Sequence, residues 1–525
     1  MKFDILIQSG ILLDGTNAPP KVADIGIRGG KISYIGALED STGDVTISAL
    51  GKYVTPGFID ITNQSDSHLT MFQYPLLESL VLQGITTIIG GNCGASLAPL
   101  ASGTAINAIK KWANPAQINI NWTGVSEYLR VVETLKFGIN YGTFVGYGTL
   151  RRGVLGDTVR TLSPQETEQI KYLLGQSIAA GAFGLSLGMS YGHESISTTD
   201  ELIEIAGIMR ETGGIVKIHL RSEGSKILAA INEAVLIGRG TGVPVEISHL
   251  KMVGKKSWHH IKKALELIST ARKTGVDIHF DVSPYKTTGS SLYLLIPEWA
   301  RSKGFTELFR LIENKADRKR IVDDLKLRTL HYDKILITSA KITPIVGKTI
   351  ADLSAESGLP PEETLLATVI ANDGRVTIVG RTLSGKNTEA ALVNTNSMLG
   401  SDGEGYADTV MNTGNLVHPR SFGAFAYFWR RFVQEKKSLP PEAAIQKMTS
   451  LPALKVGLHD RGIIKKGNMA DVLIFDPAQF RDQATYEYPF KYATGLEAVI
   501  MNGRVVVDKG NHTGERAGQV MRYKK

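Results

Sequence analysis

Between residues 54 and 401 the chain repeats one pattern, a short apolar run followed by a polar turn and, in several cases, by a stretch of helical period. The runs lie at 54–61 (VTPGFIDI), 85–91, 143–147, 182–187, 214–219 (GIVKIH), 243–249 (VPVEISH) and 276–282 (VDIHFDV), with an eighth near 394–401. Residues 199–212 and 257–275 are the clearest helices, each with a Thr or Ser at its start, apolar residues at 3.6-residue spacing and a Gly after it. Short runs without polar alternation suit strands buried on both faces, as in a parallel sheet. Strand and helix in alternation build parallel βα units, and eight of them make a (β/α)₈ barrel.

The two ends differ from this middle. Residues 3–48 and 463–509 hold short alternating runs broken by Gly and Asp, the mark of half-buried antiparallel strands. Neither end has enough strands to stand alone, so one small β-domain built from both termini is expected. This gives residues 1–53 and 461–525 to the β-domain and 54–460 to the barrel. The interval 284–390 is far longer than one helix requires and reads as an insert over the barrel mouth.

Composition excludes several classes. One cysteine, Cys93, permits no intrachain disulfide. Lys and Arg number 59 against 51 Asp and Glu, a small excess over 525 residues. The basic clusters at 255–273, 314–328 and the final RYKK lack a nucleic-acid motif and read as solvated faces, so no nucleic-acid partner is expected. No apolar stretch approaches the roughly 20 residues of a membrane span. The opening MKFDILIQSG lacks the apolar core of a secretory signal, so a cytoplasmic location is expected.

Barrels of this kind work at the C-terminal ends of their strands. The second run ends at Asn92-Cys93-Gly94, the fifth at His219, the sixth at His249 and the eighth at Ser401-Asp402-Gly403. Taken singly, each has a plain explanation. Cys93 would pack as a small hydrophobe, a strand-end histidine would serve as a hydrogen-bonded structural residue, and Asp402 would cap a helix. Taken together at successive strand ends, a cysteine and two histidines make a zinc set with the fourth position open to water. Asp402 is then the carboxylate that takes and returns a proton.

The segments VTPGFID, GNCGASLAP (91–99), GAFGLSLGMSY (181–191), ISHLKMVGK (247–255), SDG (401–403), HPRSFGAF (418–425) and KMTSLPALKVGLHDRGIIKKGNMADVLIFDP (447–477) resemble the N-acyl-D-amino-acid deacylases, or D-aminoacylases, of the amidohydrolase superfamily. The resemblance runs from about residue 3 to 525. It implies a (β/α)₈ TIM barrel with a small β-sandwich domain formed by both chain termini. It implies Cys93, His219 and His249 as zinc ligands, Asp402 as the catalytic acid–base, and Lys251 beside the substrate carboxylate. Tyr285 and Arg381 are further substrate contacts on the same ground. The substrate implied is a small N-acyl amino acid, of D configuration.

The chain also departs from that pattern. Relatives read PGFID-x-H-x-H, where this chain has Thr62 and Gln64 in place of both histidines. Neither replaces imidazole on zinc. A third-strand GHG is Gly146-Tyr147-Gly148 here, and Ser283 stands where a seventh-strand tyrosine is usual. One zinc per chain is therefore expected. Tyr147 is placed as a donor to a developing oxyanion or, alternatively, as packing at the mouth. His68 could fold back to the metal, and His193 could meet substrate or sit in a surface loop. A substrate-diverged amidohydrolase, acting on a cyclic amide or amino-sugar amide, and a non-catalytic binding descendant stay open as alternatives. The oligomeric state is not readable.

Overall fold

The computed structural model describes residues 1–525 apart from Thr329. The barrel strands, in order, are Phe58–Asp60, Ile85–Gly90, Asn140–Thr143 continued by Val145–Gly146, Gly184–Gly188, Ile215–His219, Val245–Ile247, Ile278–Val282 and Ser397–Leu399. Each assigned ladder between neighbours is parallel. Between the eighth strand and the first, Asp402 N–H donates to the Thr62 carbonyl at 3.0 Å, which closes the ring at its C-terminal rim. This is the (β/α)₈ architecture that the alternation implied.

The run at 54–61 is not one strand. Tyr53–Pro56 belongs to the terminal sheet and only Phe58–Asp60 to the barrel. The chain changes sheets at Gly57, where a Cβ would lie 2.1 Å from Thr86 Oγ1. Glycine is required there by close approach, which is why a run that reads as a single strand bends.

The terminal sheet has nine strands from both ends of the chain. Its path runs from Asn511–His512 through Arg504–Asp508, Leu496–Met501, Val472–Phe475, Tyr53–Pro56, Lys2–Leu12 and Lys21–Arg28 to Lys31–Gly36, with Thr42–Ser48 paired to Lys2–Leu12. It curls until Ile32 N–H meets the Asn468 carbonyl at 2.9 Å. Val472, Ile474, Ala498 and Ile500 face the sheet's own core with Ile5, Ile7, Ile25 and Ile27. The intervening Leu473, Phe475, Val499 and Met501 face the barrel's helical layer. The period of two thus buries both faces, and an apolar run such as VLIF results.

Residues 288–380 carry a separate antiparallel sheet, with Val376–Gly380 between Thr288–Ser291 and Ile335–Ala340. Its core includes Leu292, Tyr293, Leu308, Ile337 and Ile378, and it reaches Cys93 and Tyr191 at the barrel rim. Helix Gly385–Leu392, at the end of the same interval, packs instead on the barrel, with Ala391 and Leu392 in the main core. At the opposite end of the barrel, Ile59, Ile61, Ile89, Phe144, Phe183, Ile215 and Met398 pack with Ala453, Val456, Leu458 and Met521. No helix among the described residues is long and apolar enough to cross a membrane.

Candidate metal centre

The site is made by backbone turns just past the strand ends. Cys93, His249 and Asp402 have φ of 53°, 39° and 54°, in the left-handed region that side chains with a Cβ avoid. Such conformations cost of order 1–3 kcal/mol each and gather at functional sites. The flanking glycines serve the same turns. A Cβ on Gly91 would lie 2.2 Å from the Phe144 carbonyl, and one on Gly94 would lie 2.0 Å from Glu194 Oε1. Asn92-Cys93-Gly94 can therefore fold only tightly against the third and fourth strands.

Cys93, His219 and His249 converge, with one potential ligand atom from each lying within 4.8 Å of the others. Cys93 Sγ is 3.4 Å from His249 Nε2, which is 3.1 Å from His219 Nδ1. Tetrahedral zinc with bonds of about 2.0–2.3 Å needs donors about 3.3–3.6 Å apart. The donor set and its spacing therefore fit one such ion. All three residues are buried, and burial pushes His219 well below the usual imidazole pKa, toward the neutral form that a ligand must have.

The outward nitrogens are held as well. Ser190 Oγ is 2.8 Å from His219 Nε2. His249 Nδ1 is 3.3 Å from Glu223 Oε1 and 2.8 Å from Lys251 Nζ. Lys251 and Glu223 pair at 2.6 Å. Burial alone would raise the Glu223 carboxyl, but the Lys251 ammonium holds it below the carboxylate range. An ionised carboxylate behind a ligating imidazole fixes its orientation and raises its basicity.

Asp402 stands over the triad. Its Oδ2 accepts from Arg420 at 2.7 Å, and Gln64 Nε2 reaches its Oδ1 at 3.5 Å and Cys93 Sγ at 3.6 Å. Asp402, His249, Lys251, Ser283, Thr287 and Arg420 all line one cleft. Beneath the triad is a layer of charge. Lys217 Nζ donates to Thr62 Oγ1 at 2.8 Å, to Asp281 Oδ2 at 2.9 Å and to Glu246. Asp281 Oδ1 accepts the His249 N–H at 2.9 Å.

Other expected residues lie elsewhere. The Tyr147 hydroxyl donates to Glu201 and accepts from Arg151, turned into a buried cluster. Tyr285 stacks on Tyr427 with ring centres 4.6 Å apart, and its buried hydroxyl has no partner among the described residues. Arg381 is exposed. None of these three lines the cleft. His68 stacks on Trp112 and lies 3.5 Å from Glu404, outside the triad. His193 is buried rather than in a surface loop. Glu223, Ser190 and Arg420 had no assigned role in the sequence reading. Glu223 follows His219 by four residues, and Arg420 stands in the quoted HPR motif, so both were within reach of it.

Comparison with known proteins places this geometry. The amidohydrolase family model matches residues 373–507. A D-aminoacylase of Alcaligenes xylosoxydans xylosoxydans is 31% identical, covering 99% of this chain and 97% of its own. The chain belongs to the amidohydrolase family, in its D-aminoacylase group. This amidohydrolase is a hydrolase of non-peptide C–N bonds, and its chemistry is metal-dependent amide hydrolysis. An N-acyl-D-aspartate deacylase from the same organism is 32% identical, over 99% of this chain and 95% of its own. Among solved structures, N-acyl-D-glutamate deacylase from Bordetella bronchiseptica, with zinc and a phosphonate mimic of the tetrahedral intermediate, matches with a TM-score of 0.85 at 29% identity over 100% of both chains. A D-aminoacylase described by a binuclear centre, with one-metal activation and second-metal attenuation, matches at 0.84 and 29% over 99% and 100% of the two chains.

Proposed function

We propose that this amidohydrolase cleaves the amide bond of N-acyl-D-amino acids, with one zinc held by Cys93, His219 and His249. The convergence of those three ligand atoms beside Asp402 carries the reading. When bound, zinc would supply an activated water and polarise the acyl carbonyl. The residues of this chain do the rest. Arg420 holds one oxygen of Asp402, and the other, near the Gln64 amide, takes a proton from the attacking water. The same carboxyl then gives that proton to the departing amine nitrogen, so that the carboxylate is regenerated. Lys251, on the cleft wall, anchors the substrate carboxylate, with Glu223 holding the ammonium in place. Ser190 and Glu223 keep the two imidazoles turned inward. We assign residues 1–53 and 461–525, together with the strand Tyr53–Pro56, to one unit and 57–460 to the catalytic barrel, with the 288–380 segment flanking the cleft. A ligating thiol must stay reduced, which favours a cytoplasmic setting.

The test combines a metal measurement with a substrate panel. Purified protein should carry one zinc per chain, and Cys93→Ala should lose it. N-acetyl-D-amino acids should be hydrolysed and their L enantiomers not. Equal turnover of both series would remove the D assignment. Full activity in metal-free protein would overturn the mechanism.

A further inference from the structure

The side chains that replace the first-strand histidines are not idle. Residues 62 and 64 lie just past the first barrel strand, and both side chains reach the groups around the triad. The Thr62 hydroxyl lies between the Lys217 ammonium and Asp281. The Gln64 amide is directed at Cys93 Sγ and Asp402 Oδ1. Lys217 is two residues before His219 on the same strand, so its side chain enters the interior one layer below that ligand. Lys217, Glu246, Asp281 and Thr62 are each fully buried.

We infer that the Lys217 ammonium is a built-in cation in the place of a second metal ion, so that this barrel takes one metal at any zinc concentration. The inference rests on the metal-centre reading above. Two buried carboxylates, Asp281 and Glu246, need a cation beside them, and Lys217 supplies it. An ammonium has three donors, and its partners here are Thr62, Asp281 and Glu246. The ammonium balances Asp281, and burial beside Asp281 raises the Glu246 carboxyl toward its neutral form, so no charge is left for an added ion to balance. An ion bound through residue 62 at about 2.1 Å would lie within about 5 Å of this ammonium, where two positive charges repel strongly in a buried setting. Gln64 also presents an N–H, not a lone pair, toward the cysteine sulfur. The second-metal attenuation of the D-aminoacylase relative should then be absent in this chain.

The experiment titrates chelator-stripped full-length protein with zinc from equimolar to large excess, then counts bound metal by mass spectrometry after free ion is removed. Wild type should hold one zinc throughout, with no fall in amide hydrolysis at excess zinc. The double variant Thr62→His, Gln64→His should still hold one, because Lys217 is intact. Adding Lys217→Met to that pair should raise the count to two. Two zinc ions in wild type, or in the double variant, would overturn the inference while leaving the hydrolase reading intact. A folded triple variant that stays at one ion would also overturn it. If the triple variant does not fold, the double variant decides alone. No bound zinc in wild type would overturn the metal-centre reading itself, and this inference with it.

Discussion

Asp402 has little freedom. Arg420 fixes one oxygen and Gln64 lies near the other, so its position over the triad is set before substrate arrives. Asp402→Asn keeps the shape and removes the base. Turnover should fall roughly 10²–10⁴-fold with zinc content unchanged, read by kinetics beside metal analysis. Glu223→Gln acts through His249, and zinc affinity should fall roughly 10–100-fold in chelator competition. A third residue, Asp66, tests the cost of burial. Desolvation pushes its carboxyl up to about 6, although its Oδ2 accepts from Gly91 and Tyr141. A raised folded-state pKa means the folded chain binds the extra proton between about pH 4 and 6. Stability from this group is therefore greatest below that window, declines as pH rises through it, and is lower by about 3 kcal/mol above it. In Asp66→Asn that decline should vanish, so the melting-temperature difference from wild type should shift in the variant's favour from pH 4 to 6. A constant difference would refute it. Cys93, His219, His249 and Asp402 were legible as a cluster in the sequence because each stands at or just past a strand end, where period and fold class dictate convergence. Lys217 was not, because a lysine inside an apolar run looks like an irregularity until its carboxylate partners arrive from two other strands. Arg420 was visible in the HPR motif, but its pairing with Asp402, 18 residues away, was not.

At the scale of elements, the strands were readable and their borders were not. VTPGFID looks like a single strand, because nothing in the residues themselves shows Thr86 waiting against Gly57. Gly57→Ala should destabilise the chain by several kcal/mol, since both the Thr86 side chain and the sheet crossing would have to move, and thermal unfolding would show it. The helix after the insert was hidden in a long amphipathic interval, and only its packing on the barrel separates Gly385–Leu392 from the segment before it. Helix starts are more local. Ser163 caps Pro164–Ala179, its hydroxyl accepting from Glu166 N–H at 3.3 Å while the Glu166 carboxylate accepts from Ser163 N–H at 2.8 Å. Ser163→Ala should cost about 1 kcal/mol in denaturant unfolding, with no change in turnover.

Over the whole molecule, the ends of the chain are woven into what lies between them. The segment 518–523 runs along the barrel's lower rim, where Tyr141 donates to Gln519, Met521 donates to Tyr141 and Tyr523 donates to Gly181. Met521 packs with the apolar floor beneath the strands. The strand Tyr53–Pro56, which leads into the barrel, has Val472–Phe475 as its antiparallel neighbour. A ribosome delivers the first of these partners long before the second. Lys2–Pro56 must wait for more than four hundred residues to be made before their sheet can be completed, with apolar strand edges exposed meanwhile. The nascent chain should therefore lean on holding chaperones until its last segments emerge, and the catalytic rim above should be assembled only after the floor below has been sealed.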